Sequence, residues 1–277
     1  MDKTQNPVGV FDSGIGGIST LRDIIRELPR EHFIYYGDIA NAPYGTKSTE
    51  EVISCVRHVV DHLLERRIKA LVIACNTATG AAAATLRKEL SIPVIGMEPA
   101  LKPASEKRED GIILVMATPL TLRMEKFNLL MSKYGEGALR VPCPGLMELV
   151  EADDGAGALD YLKNLFAQFD LEKVDAVVLG CTHYVFLKEM IRDLLPEHIV
   201  ITDGNAGTAR QLKRVLAQNG LLNETGEGKL ELETSGTEKD LALMHKLMNH
   251  LGFAAPGKLS GGQFSAENGR QPRLGTN

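Results

Sequence analysis

The chain has 277 residues, 44% of them hydrophobic, enough to fill two cores of ordinary size. A formal net charge of −5 excludes nucleic acid as an obligatory partner, since neutralising phosphates takes a concentrated basic face. No apolar run approaches the roughly 20 residues of a membrane span, Met1 to Pro7 is too short for an export signal, and four cysteines are too few for a disulfide framework; a cytoplasmic protein with reduced thiols and no membrane partner is expected.

Val8 to Phe11 reads as a first buried strand. It runs into Asp12-Ser13-Gly14-Ile15-Gly16-Gly17, after which Ile18, Leu21, Ile24 and Ile25 have helical spacing. Gly14 and Gly16 match the start of a dinucleotide-binding turn, and Asp38 follows a second strand, Phe33 to Tyr36, as the ribose-binding acid would. Two residues argue against that reading. Ser19 stands at the third glycine position, and Asp12 sets a carboxylate where a pyrophosphate would lie. Residues 41–47 form a loop, and Ser48 to Arg67 a helix capped by Ser48 or Thr49, with Glu50 and Glu51 favourably placed in its first turn. Cys55 shares the spacing of Val52, Val56 and Val59 and reads as a small core residue.

Ala70 to Ala74 is a third strand, ending in Cys75-Asn76-Thr77, and the alanine-rich segment from Ala78 to Leu90 is helical. Cys75 thus sits at a helix N-terminus, a position that lowers a thiol pKa. Pro93 to Gly96 is a fourth strand, closing on Glu98. Residues 100–110 read as a linker or short helix. Strands follow at 112–116 and 139–142, with Thr118 at the end of the first and a helix over 122–133 between them. Residues 143–151 bend into a loop or short helix, 160–169 is helical, 174–180 is a strand ending at Cys181-Thr182-His183, 186–195 is helical, and 199–202 is a strand closed by Asp203. Helices at 205–218 and 237–250, with a weak strand at 230–233 between them, have no sheet of their own and are expected to return to the first half. Residues 255–277 have a composition expected to lack structure.

The two halves echo one another. VDAVVLGCTHYV (174–185) repeats the pattern of ALVIACNTAT (70–79), and nearly the same interval separates Asp12 from Thr118 and Glu98 from Asp203. The expected fold is α/β: two pseudo-symmetric parallel-sheet domains, 1–99 with 205–254 and 100–204, and an active site between them. Parallel sheets bind ligands at the carboxyl ends of their strands. Asp12, Ser13, Cys75, Asn76, Thr77, Thr118, Cys181, Thr182 and His183 all fall there. Two thiols flanking one small ligand would offer a base on one face and an acid on the other, which is what inverting a stereocentre needs. Asp12 is placed to assist Cys75, and His183, with Glu151 from a neighbouring loop, to assist Cys181. No Cys/His cluster has metal-ligand spacing, and no lysine sits at a strand end to hold pyridoxal phosphate, so neither metal nor cofactor is expected. Cys143 reads as structural.

VFDSGIGG (10–17), APYGTKS (42–48), ACNTAT (74–79), PVIGMEPA (93–100), CPGLMELVE (143–151) and GCTHY (180–184) resemble the cofactor-independent glutamate racemases. The resemblance implies that Cys75 and Cys181 are the acid/base thiols, Asp12 assisting the first and Glu151 with His183 the second. It implies a glutamate pocket lined by Asp12, Ser13, Pro43, Tyr44, Gly45, Asn76, Thr77, Thr118, Thr121, Thr182 and His183, a homodimer, and a supply of D-glutamate for peptidoglycan. Only seven residues precede the first strand, so activation by a cell-wall precursor is not expected. The rival readings are a racemase of aspartate or a related amino acid, a thiol redox protein, and a regulator of DNA gyrase.

Overall fold

The computed structural model describes residues 3–250 and 260–263. In chain order the elements are β1 (Val8–Asp12), α1 (Ile18–Glu27), β2 (His32–Gly37), α2 (Thr49–Glu65), β3 (Ala70–Ile73), α3 (Asn76–Glu89), β4 (Val94–Gly96), α4 (Leu101–Ser105), β5 (Ile112–Ala117), α5 (Pro119–Arg123), α6 (Glu125–Tyr134) and β6 (Ala138–Pro142). They continue as α7 (Leu146–Glu151), α8 (Gly155–Phe166), β7 (Val174–Leu179), α9 (Lys188–Leu194), β8 (Val200–Asp203), α10 (Asn205–Gln218), β9 (Lys229–Thr234), α11 (Glu238–His250) and β10 (Ser260–Gln263).

The strands form two parallel sheets, ordered β10-β9-β2-β1-β3-β4 and β6-β5-β7-β8. Within each, the same plan recurs: β5, β6, β7 and β8 stand to one another as β1, β2, β3 and β4 do. Alternation along each strand builds a core on each face. Val8, Val10, Phe33 and Tyr35 pack with Ile18, Leu21 and Ile24 of α1 and Leu212 and Leu216 of α10, while Phe11, Ile34, Leu71 and Ile73 pack with the valines of α2 and the alanines of α3. In the second sheet Leu114, Met116, Val177 and Leu179 meet α7, α8 and α9, and Ile113, Val115, Ala176 and Val178 meet α4 and Phe127 of α6.

Several elements differ from the sequence expectation. The helix expected over 122–133 is two, because Met124 is extended (φ −65°, ψ 146°) and serves as the end of α5 and the start of α6. The helix expected at 160–169 begins earlier, where the Asp154 carboxylate accepts from Gly157 N–H. A 3₁₀ turn, Thr182–Leu187, precedes α9. β9 is no isolated strand: it pairs with β2 over six residues. Leu230 and Leu232 enter the α1/α10/α11 core, while Glu231 and Glu233 point to the other face, where His32 and His62 meet them at 2.8 and 2.6 Å. The segment expected to lack structure, 255–277, lies outside the described residues except for β10, whose backbone pairs with β9. Ladder pairing needs only main-chain N–H and C=O groups, so a composition poor in apolar side chains does not forbid it.

Candidate active site

Both central strands end in a thiol. Cys75 follows β3 and caps α3, its sulfur accepting from Ala78 N–H at 3.4 Å, and Cys181 follows β7 at the head of the 3₁₀ turn. They line one cavity of about 280 Å³, whose walls also include Ser13, Gly45, Asn76, Thr77, Thr118, Met147, Gly180, Thr182 and His183. Elements of both sheets contribute.

Each thiol has a distinct polar backing. Ser13 Oγ lies 3.5 Å from Cys75 Sγ. Asp12, wholly buried, accepts from Gly14 N–H (2.9 Å) and from Thr182 Oγ1 of the other half (3.0 Å). The helix N-terminus was expected to lower the Cys75 thiol; burial outweighs it and pushes the thiol up to about 12, and the negative charge of Asp12 reinforces the shift. Burial likewise raises Asp12 above the usual carboxylate range, against the lowering effect of His183. On the other side Cys181 Sγ is 3.8 Å from His183 Nδ1, and His183 Nε2 is 3.0 Å from Glu151 Oε1. Burial alone would lower His183; its bonds to Cys181 and Glu151 overcome that and hold it well above its ordinary value. The two sulfurs therefore have different surroundings: an imidazole held by a carboxylate beside Cys181, and a serine hydroxyl with the Asp12 carboxylate behind it beside Cys75.

The glycines of the first turn explain themselves here. A Cβ on Gly16 would fall 2.4 Å from Thr182 Oγ1 and 2.5 Å from His183 Nδ1, and one on Gly14 would fall 2.5 Å from Glu151 Oε1. They are bare so that the second half can close on the first, not to admit a pyrophosphate. Ser19, the residue that broke the dinucleotide pattern, directs its hydroxyl at the Gly16 and Thr182 carbonyls (2.9 and 3.2 Å).

At the remaining wall three hydroxyls form a cluster across the halves: Thr77 Oγ1 lies 3.2 Å from Thr118 and 2.8 Å from Thr121, and Thr118 donates to Thr121 at 2.9 Å. Asn76 donates to Met97 Sδ at 3.4 Å, leaving its buried carbonyl oxygen without a partner. Pro43, Tyr44, Asp12, Glu151 and Thr121 stand behind the cavity wall. Tyr44 in particular turns its ring into the core and donates to Asp38 Oδ2 at 2.6 Å. Met147 and Gly180, absent from the sequence expectation, line the cavity; the only sequence signal for them was their place beside Glu151 in CPGLMELVE and beside Cys181 in GCTHY. Among the described residues no group of three or more His, Cys, Asp or Glu side chains is placed to hold a metal, and no helix is long and apolar enough to cross a membrane.

This constellation on paired parallel sheets defines a class. The model of the Asp/Glu/hydantoin racemases matches residues 9–212. The chain is 48% identical to a glutamate racemase of Clostridium acetobutylicum, covering 90% of this chain and 100% of that one. Two solved structures align with it closely. A glutamate racemase isoform of Bacillus anthracis superposes with a TM-score of 0.82 at 32% identity, over 95% of this chain and 98% of that one. The Escherichia coli glutamate racemase, solved with L-glutamate and the activator UDP-MurNAc-Ala, does so at 0.79 and 28% identity, over 92% and 98%. The chain belongs to the Asp/Glu/hydantoin racemase family and is an isomerase.

Proposed function

We propose that the chain interconverts L- and D-glutamate by passing the Cα proton between two thiols. A thiolate on one face takes the α-proton and becomes a thiol; the electron pair stays on the substrate as a carbanion delocalised into its carboxylate, and the thiol on the opposite face returns a proton, leaving a thiolate there. Cys75 and Cys181 are those groups. The single observation carrying the reading is that these two strand-end thiols line one cavity with separate backing, Asp12 and Ser13 for the first and the His183–Glu151 pair for the second.

The other wall residues bind. The Thr77 and Thr118 hydroxyls, backed by Thr121, and the neighbouring helix N-termini suit carboxylates, and the unpartnered Asn76 oxygen is an acceptor for the substrate ammonium. Glutamate, rather than a shorter acid, is supported by the 48% identity to a protein of that name. The product serves peptidoglycan, and the enzyme works in the cytoplasm, where its thiols remain reduced.

The test is incubation with L-glutamate in deuterated water, following optical rotation and α-deuterium. D-glutamate carrying α-deuterium is expected, and Cys75→Ser and Cys181→Ser should each cut racemisation by about three orders of magnitude or more. Exchange with aspartate but not glutamate would move the substrate and keep the chemistry; full activity in either serine variant would sink the two-thiol mechanism.

A further inference from the structure

Asp38 is a buried carboxylate, 1% exposed, that the racemisation chemistry does not use. It ends β2 on the same side of the sheet as the site, and its N–H donates to the Asp12 carbonyl at 3.0 Å. Its side chain gathers three neutral donors: Tyr44 Oη at 2.6 Å, Ser235 Oγ at 2.8 Å and Asn41 Nδ2 at 3.0 Å. Two of these belong to the loop 39–46 and the third to the turn that follows β9. Ser235 Oγ in turn accepts from Ala40 N–H at 3.1 Å, so the turn grips the loop twice.

Besides these bonds the loop is held by Ile39, packed against the α1 core, and by the Tyr44 ring in the α2 core. It consists of two 3₁₀ turns, Ile39–Asn41 and Tyr44–Thr46, and of its residues only Tyr44 is buried. Yet it delivers Gly45 to the cavity wall, hard against the second half: a Cβ at Gly45 would lie 3.0 Å from Thr118 Cβ. Thr118 is a member of the threonine cluster. A continuous path therefore runs from Asp38 through the Tyr44 hydroxyl to Gly45 and Thr118.

We infer that Asp38 is a positioning residue for substrate recognition, holding the Tyr44-Gly45 roof of the pocket against Thr118 from a carboxylate that itself never meets the substrate. The inference rests on the racemase reading for its kinetic consequence. The roof meets the second half at the threonine hydroxyls, so loosening it removes binding common to ground and transition states. Such a loss raises KM and spares kcat. Because Asp38 acts through Tyr44, losing both costs no more than losing one. Ser235 makes the return segment after β9 part of the recognition machinery, although it lies far along the chain from every residue of the cavity wall.

The experiment compares Asp38→Asn, Tyr44→Phe, their double variant and the milder Ser235→Ala with the unmodified chain. Each of the first two is expected to raise KM for glutamate about tenfold with kcat within about twofold, the double variant to match the worse single, and Ser235→Ala to raise KM about threefold. Hydrogen exchange at amides 39–46 should quicken about tenfold in each, with the sheet amides unchanged. Exchange requires no turnover, so an unmodified chain inactive on glutamate would sink the racemase reading while exchange still judged the role of Asp38. Multiplying effects in the double variant, a fall in kcat at constant KM, or unchanged exchange in Ser235→Ala would overturn the inference; the last applies even if Asp38→Asn fails to fold.

Discussion

A side chain at Gly16 would have nowhere to go. Its Cβ would press on Thr182 Oγ1 and His183 Nδ1, and neither can yield, since Thr182 bonds Asp12 and His183 bonds Glu151. Gly16→Ala should therefore displace His183 by about an ångström and lower kcat/KM about a hundredfold, with circular dichroism showing an intact fold. Retained activity would mean that the two halves need not approach so closely. Cys143 is a buried thiol that does not line the cavity. Its sulfur donates to the Val141 carbonyl at 3.4 Å, and burial pushes it up to about 12 from an ordinary 9. The folded chain thus holds this proton more tightly than the unfolded one, so its effect is absent below about 9 and destabilising above, by about 1.4 kcal/mol per pH unit up to 12. Between pH 8 and pH 10 the unmodified protein should lose about 1 kcal/mol more stability to urea than Cys143→Ala does.

Among the elements, α2 shows what local chemistry secures by itself. Ser48 Oγ accepts from Glu51 N–H at 3.2 Å and the Glu51 carboxylate accepts from Ser48 N–H at 2.7 Å, a reciprocal cap that the Ser-Thr-Glu-Glu run announces. Ser48→Ala should cost about 1 kcal/mol in urea denaturation and leave kcat/KM unchanged; an effect on rate would implicate the cap in the adjoining loop. β9 shows the opposite case. Its Leu-Glu alternation marks a strand with one apolar face, but nothing in that pattern names β2 as its neighbour. The pairing follows from His32, His62 and Arg66, which wait on the facing surface for Glu231 and Glu233. The break at Met124 was equally silent in sequence, since an unbranched apolar residue suits a helix; Pro119 and the Thr118 hydroxyl, which accepts from Thr121 N–H at 3.3 Å, set the short first helix apart.

For the whole molecule, the duplicated plan has a mechanical consequence. Hydrogen bonds from Thr182 to Asp12 and among Thr77, Thr118 and Thr121 tie the two sheets together around a cavity of only about 280 Å³. His183 lies at the junction of the halves, against Gly16 and bonded to Glu151. Burial opposes its charge, but the bonds to Cys181 and Glu151 win and raise it above its ordinary 6.5. A raised folded value means that its contribution to stability is complete below about 6.5 and is lost as pH rises through that folded value. The stability advantage of the unmodified protein over His183→Asn should accordingly be greatest near pH 6 and shrink toward pH 9, as measured by urea denaturation at each pH. A gap that widens with pH would show that the imidazole is neutral in the closed site.

That the chain is α/β, that its two halves repeat one plan, and that two thiols with Asp12, Asn76, Thr118 and His183 lie at strand ends can all be read from the residues in order. These follow from local rules: apolar runs of strand length, helical spacing, caps, and the gathering of loops at the carboxyl ends of parallel strands. What those residues face emerges with the packing of the two sheets. The tertiary structure put Met147 and Gly180 in the cavity wall, turned Tyr44 away from it toward Asp38, attached β9 to β2, and left Gly14 and Gly16 bare for side chains well over a hundred residues away. The physical reason is that local propensity fixes a residue's own backbone, whereas contact across two separately folded layers depends on how their surfaces fit, and no single stretch of the chain carries that information.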